Sequence, residues 1–284
     1  MSHRPVKSAL RVLEVLRLFS EQKRALTQLE ILRHLDIPQS STNFLLRTMI
    51  EAGYVTYDPK TRLYFPTPEV LHLGKWLEGF GYDFFYEESI ITDLLEDIGV
   101  RTGETVSIAS RNDIFVHFHR TKRRNLPVEM HVEEGSVLPL TYSSYGRMLL
   151  SRQPFKQIDR VCRLIRAREN NLSRRFDVEV EIASVTAIQD HHFHYSRNPL
   201  LPSAGSVAII LPVTIAGRAV AVGVGGPAQR IEESLPAIVE ILDTMIARYC
   251  DALTATFGSG QGRSSTASAT RREDGGNIGS HMRL

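Results

Sequence analysis

Apolar residues recur every third or fourth position over residues 6–19, where Val6, Leu10, Leu13, Leu16 and Phe19 stand among charged neighbours. Side chains at that spacing share one helix face, so the pattern predicts an amphipathic helix. Residues 20–25 break it. In Thr27-Gln28-Leu29-Glu30 the threonine hydroxyl can cap a helix start while the glutamate reaches back to the cap N–H, which predicts a capping box. Leu29, Leu32 and Leu35 are the expected buried stripe of this short helix. It stops at Asp36-Ile37-Pro38, because a residue before proline avoids helical geometry. Pro38 suits the first turn of a further helix over about Gln39–Ala52, with Leu45, Leu46, Met49 and Ala52 on its apolar side and Gly53 as its stop. Tyr54–Tyr57 and Arg62–Phe65 are β-rich and flank the turn residues Asp58-Pro59-Lys60-Thr61, which predicts a hairpin. Three helices and a hairpin over residues 1–68 predict a winged helix-turn-helix.

Pro66-Thr67-Pro68 ends that unit. Glu69–Trp76 restarts as a short helix, so residues 69–83 are expected to be a linker. From 84 to 257 the pattern mixes both periods. Helices are expected at Phe84–Val100, Tyr145–Ser151, Ile158–Arg168 and Leu235–Leu253. Strands are expected at Thr105–Ser110, Phe115–Arg120, Val128–Val132, Val207–Val213 and Arg218–Gly225. Strands in hairpin order with helices around them predict an α+β domain on an antiparallel sheet. Residues 258–284 carry Gly, Ser, Thr and charge without apolar periodicity and are expected to be disordered. Gly279-Ser280-His281-Met282 also has the composition of a vector remnant.

The length of 284 residues suits two domains, and 42% hydrophobic with 23% charged residues is ordinary for a globular protein. No apolar run approaches the roughly 18 residues that span a bilayer. Cys162 and Cys250 give neither a disulfide framework nor metal spacing, so a cytoplasmic protein is expected. The net charge of +2 is uneven: residues 1–68 hold ten Lys/Arg against six Asp/Glu. A basic N-terminal quarter is compatible with a polyanion, and also with an ordinary solvated face.

The chain resembles the IclR family of bacterial transcription regulators. The resemblance rests on Ser8-Ala9-Leu10-Arg11-Val12-Leu13, Leu29–Leu35, Ile37-Pro38-Gln39-Ser40-Ser41 and Glu51-Ala52-Gly53-Tyr54-Val55. It continues through Thr102-Gly103-Glu104-Thr105-Val106, Leu138-Pro139-Leu140, Gly146 and Val224-Gly225-Gly226-Pro227, and covers about residues 5–255. It implies a winged helix, a linker helix and a GAF/PAS-like effector domain. It also implies homodimers or dimers of dimers on palindromic operator DNA, and a small organic acid or aromatic or acyl effector.

On the second helix of the helix-turn-helix, Gln39, Ser40, Ser41, Thr42, Asn43 and Arg47 are read as the DNA-facing set. Gln and Asn suit adenine, Arg suits guanine, and hydroxyls with helix N-terminal amides suit phosphate. The plainer alternative is a solvated helix start. Many relatives carry a basic residue where Phe44 stands, which shifts weight to Arg47. Lys60 and Arg62 on the hairpin are phosphate candidates, or an ordinary exposed turn. The resemblance places effector contacts at Ser144, Tyr145 and Gly146. It also places them at Asn198, Ala208, Gly223 and Gly225, where relatives often have an acid, a cysteine and two serines. Those replacements predict a roomier, less polar pocket. His117 and His119 share a strand face by alternation, and His191-His192-Phe193-His194 clusters histidines; with no acidic or cysteine partner at metal spacing, structural or surface histidines are the preferred reading. Arg120–Arg124 is read as a solvated charge run. No nucleophile elbow, phosphate loop or dinucleotide fingerprint occurs, so neither an enzyme nor a cofactor is expected. Two regulator readings remain: one with an effector, and one whose C-terminal domain only oligomerises.

Overall fold

A computed structural model describes residues 6–75, 89–124, 132–199 and 201–258. The N-terminal unit starts with α1 (Lys7–Gln22), closed by Lys23 in left-handed geometry with its N–H bonded to the Phe19 carbonyl. Two apolar stripes run along α1, and the core takes Val15, Leu18 and Phe19. The stripe expected from periodicity departs from this, because Val6, Leu10 and Leu13 are 65%, 44% and 63% exposed. A short strand β1 (Leu26–Thr27) leads into α2 (Gln28–Leu35). The capping box forms as expected, with the Thr27 N–H on Glu30 at 2.7 Å and the Glu30 N–H on the Thr27 hydroxyl at 3.3 Å. The buried residue of α2 is Ile31, not Leu29, which is 52% exposed. At 100° per residue Leu29 points roughly 160° away from Ile31, so the helix is rotated relative to the expected stripe.

Thr42, Leu46 and Met49 are the buried face of α3 (Gln39–Glu51). Gly53, at φ 83°, turns the chain out of that helix into β2 (Val55–Asp58), a left-handed conformation that glycine adopts freely. β2 pairs with β3 (Leu63–Pro66), and β3 also pairs with β1. The Asp58 carboxylate holds the hairpin turn by accepting from the Lys60 N–H at 2.9 Å and the Thr61 hydroxyl at 2.7 Å. The helix α4 (Glu69–Lys75) buries none of its side chains. Residues 76–83 of the expected linker lie outside the described residues.

The second unit is built on a six-stranded antiparallel sheet. Its strands are β4 (Thr105–Asn112), β5 (Phe115–Lys122), β6 (Val137–Pro139), β7 (Phe193–Asn198), β8 (Leu201–Ile215) and β9 (Arg218–Pro227), in the order β6-β5-β4-β9-β8-β7. Ala216 and Gly217, at φ 50° and 71°, close the tight β8–β9 hairpin. On one face, Val220, Val222 and Val224 pack under α5 (Ile90–Thr102) and α10 (Leu235–Phe257). On the other, Ala109, Ala208 and Ala221 lie under α6 (Ser144–Ser151), α7 (Phe155–Arg168) and α8 (Val178–Ala187). Large residues on one face and small ones on the other let α6 lie close to the sheet. The short helix α9 (Ala228–Glu233) supplies Arg230, which forms a paired ion contact with buried Glu104. A β-carbon at Gly226 would lie 2.6 Å from that carboxylate, which accounts for the glycine there.

The apolar periodicity of the sequence marks none of α8, β7 and α9. Of the expected strand at Val128–Val132, residues 128–131 lie outside the described residues and Val132 is in no strand. The expected tail lies outside them from residue 259 onward, and so does the N-terminal part of the expected helix at 84–88.

Candidate functional site

The outward face of α3 is set by its core. Positions 40, 44 and 47 lie roughly 140–200° around the helix from Thr42. Ser40, Asn43, Phe44 and Arg47 are exposed there, Phe44 to 74%. Thr42 does not belong to the outward set: it is fully buried, and its hydroxyl bonds back to the Pro38 carbonyl at 3.2 Å. Ser41 is half-buried. Pro38 precedes α3 and no side chain caps the helix, so its first-turn amides form a positive end suited to phosphate.

Two polar members of the face already have partners. The Arg47 guanidinium contacts the Glu51 carboxylate at 2.8 Å, and the Asn43 amide oxygen accepts from Gln28 of α2 at 2.6 Å. Gln28 was missed in the sequence because it reads as part of the capping box; the α2–α3 packing brings it beside Asn43. Lys60 and Arg62 are exposed at the hairpin turn, with Arg62 in left-handed geometry at φ 58°. On the hairpin, Tyr57 and Tyr64 lie 4.7 Å apart by ring centroids.

In the second unit a cleft encloses ≈ 90 Å³ between the sheet and the start of α6. Its polar lining is Thr105, Ser107, Tyr142, Ser143, Tyr145, Asn198 and Ser206; Phe118, Val132, Leu138 and Leu201 supply apolar walls. Tyr145 is buried, packs edge-to-face on Phe118 at 5.1 Å and is hydrogen-bonded to Ser107. Burial pushes its phenol above the usual tyrosine range, so it stays a neutral hydroxyl. Among the described residues no charged side chain lines the cleft.

Of the seven positions expected here, Tyr145, Asn198 and Gly225 line the cleft. Ser144 reaches its wall indirectly, through a 2.7 Å contact with the Ser206 hydroxyl. Gly146 does not line it: its N–H is taken by the Ser143 hydroxyl at 3.1 Å, and a β-carbon there would lie 2.1 Å from the Leu140 carbonyl. Ala208 is buried in the core beneath α6. Gly223 opens no space either, because a β-carbon there would lie 2.2 Å from the Val207 carbonyl. The expected roominess is therefore corrected. Two of the four replaced positions face packed backbone or core, and ≈ 90 Å³ is below the roughly 150 Å³ of an engineered cavity that takes benzene.

His192 faces Asp243 at 3.3 Å, while the buried His194 Nε2 has no hydrogen-bond partner among the described residues. His119 bonds Ser110 at 2.7 Å, and its ring lies 4.6 Å from that of His117. Burial, then His117 and Arg218, lower its pKa to about 4. Among the described residues no group of three or more His, Cys, Asp or Glu is placed to hold a metal. The expected solvated run is instead partly strand: Lys122 and Arg124 pair with Glu96 at 3.7 and 2.9 Å. No helix among the described residues is long and apolar enough to cross a membrane.

A helix-turn-helix with a hairpin wing, followed by a cleft-bearing α+β domain, defines the class of two-part transcription regulators. The family model of the IclR helix-turn-helix domain matches residues 8–59. The Pca regulon regulatory protein of Pseudomonas putida is 29% identical over 145 residues, 51% of this chain and 48% of that protein, so the match spans about half of that relative's length. The effector domain of a transcriptional regulator IclR from Acinetobacter sp. ADP1 is 30% identical, with 56% of this chain and 92% of that chain covered at TM-score 0.51. An IclR homologue from Microbacterium hydrocarbonoxydans, solved with 4-hydroxybenzoate, shares the fold at 18% identity and TM-score 0.63, over 87% of this chain and 99% of that chain. The chain belongs to the IclR family of transcription regulators.

Proposed function

We propose that this chain binds operator DNA through α3 and the β2–β3 hairpin, and that a small organic effector in the cleft controls the binding. The observation that carries the reading is an uncapped helix start with an outward face clear of the core. Gln39, Ser40, Ser41, Asn43 and Arg47 are the groove-facing set, with Gln28 supporting Asn43, and Lys60 and Arg62 take phosphates. The working division is DNA reader 1–68, linker 69–83 and effector domain 84–257.

The operator is palindromic and read by a homodimer, which pairs further into a tetramer. Exposed Val6, Leu10 and Leu13 at the start of α1 support a second copy covering that stripe, and Leu71 and Leu73 on α4, at 72% and 50%, offer further apolar surface. For the effector, the buried rings of Phe118 and Tyr145 form an aromatic inner wall of the cleft, and the surrounding hydroxyls with Asn198 give it polar groups without charge. A hydroxylated aromatic acid fits that chemistry, as in the 4-hydroxybenzoate complex of a fold relative, and a ring of that size has to widen the cleft.

Selection from a random duplex pool by the full chain tests the DNA reading. Enrichment of one inverted-repeat sequence is expected, and Arg47→Ala should weaken its binding by about 1–3 kcal/mol. Failure to enrich any sequence would overturn the reading.

A further inference from the structure

The outward face of α3 is not uniformly polar. At 100° per residue Asn43, Arg47 and Ser40 occupy one edge, and Phe44 and Thr48 the other. Phe44 is 74% exposed, a high value for a phenylalanine near the middle of a 13-residue helix. Thr48 adds to the apolar edge. Its hydroxyl turns back to the Phe44 carbonyl at 2.9 Å, leaving its methyl as the group free to face outward. Neither residue belongs to the apolar cluster of this unit, which draws on the opposite side of α3.

Base-pair edges in the major groove present donors and acceptors with a single apolar group among them, the C5-methyl of thymine. A helix face that pairs a polar edge with an aromatic one matches an edge pattern in which thymine adjoins a base read by hydrogen bonds. We propose that Phe44 is a specificity-determining residue that packs on a thymine C5-methyl, with the Thr48 methyl flanking it and Arg47 or Asn43 reading the neighbouring base pair. The proposal rests on the reading of α3 as the groove helix and goes beyond it by naming the base that the apolar edge selects. A basic residue at 44 would favour phosphate or guanine; phenylalanine can do neither and loses water only against an apolar partner.

The test uses the full chain and the operator enriched from a random pool. Each thymine of one half-site is replaced in turn by uracil, which removes the methyl and leaves the Watson–Crick pair intact. Affinity is read by fluorescence anisotropy at fixed salt. Wild-type chain should bind about three- to fivefold more weakly at one or two positions, the scale of one buried carbon group. Phe44→Ala should bind the thymine and uracil forms of those positions equally, and Phe44→Leu should keep part of the difference. Phe44 lies outside the core, so the circular dichroism and melting temperature of both variants should match wild type. Equal wild-type affinity for every uracil form, or full discrimination retained by Phe44→Ala, overturns the thymine contact while DNA binding stands. A chain that enriches no sequence overturns the DNA reading and the contact with it.

Discussion

Replacing Gly223 by alanine would put a β-carbon 2.2 Å from a strand carbonyl, whereas at Gly225 the nearest atoms are 3.7 and 3.9 Å away. The two glycines are two residues apart on one strand and look equivalent in the sequence. Gly223→Ala should therefore destabilise the fold by about 1–3 kcal/mol, the usual cost of overpacking, with Gly225→Ala near neutral; chemical unfolding of both variants checks this. Equal destabilisation would mean that Gly225 is not at an open wall. His119 makes a second residue-scale prediction. Its folded pKa of about 4 lies below the ordinary 6.5, so between those values the unfolded chain binds the proton and the folded chain does not. Stability is complete above pH 6.5 and falls as the pH drops towards 4, by on the order of 3 kcal/mol. Burial lowers His194 to about 4 as well, so His119→Gln should lessen but not abolish that slope in urea melts taken from pH 7 to 4; an unchanged slope would assign the dependence to other groups. The polar character of Tyr145 and Asn198 was legible from the sequence, but the packed backbone at Gly223 and Gly146 was not, because close approach depends on which strand or turn lies opposite.

At the scale of elements, the capping box of α2, the glycine stop of α3 and the β8–β9 hairpin could be read directly, since each depends on residues within a few positions. The core-facing sides of α1 and α2 could not. Both helices carry a second apolar stripe, and only packing against each other, α3 and the strands decides which one is buried. The strand β7 has no clear sequence signal, because histidine, serine and arginine interrupt its alternation; it forms because β8 supplies a partner along Phe193–Arg197. In α3, Glu51 holds Arg47 in an exposed ion pair, worth little in itself but placed on the face proposed to enter the groove. Glu51→Gln should tighten operator binding a few-fold by removing one negative charge and freeing the guanidinium. Anisotropy titrations across a salt series would show it, and weaker binding would mean that Glu51 positions Arg47 for its base.

At the scale of the whole molecule, a basic N-terminal unit is joined to an α+β domain with an uncharged, hydroxyl-lined cleft. The N-terminal 68 residues carry the positive excess within a chain of net charge +2, and the proposed homodimer would double that cationic charge. The cleft makes the same chain a sensor only if its occupant favours one arrangement of the DNA-reading units over another. The most direct test is one anisotropy titration of the enriched operator, without and with a hydroxylated aromatic acid that raises the melting temperature of the full chain. At least about a thousandfold preference for the operator over scrambled duplex is expected, with a shift in operator affinity of about fivefold or more when the cleft is saturated. Identical operator affinity with the cleft empty and saturated would contradict it, leaving a DNA-binding chain whose second domain serves assembly alone.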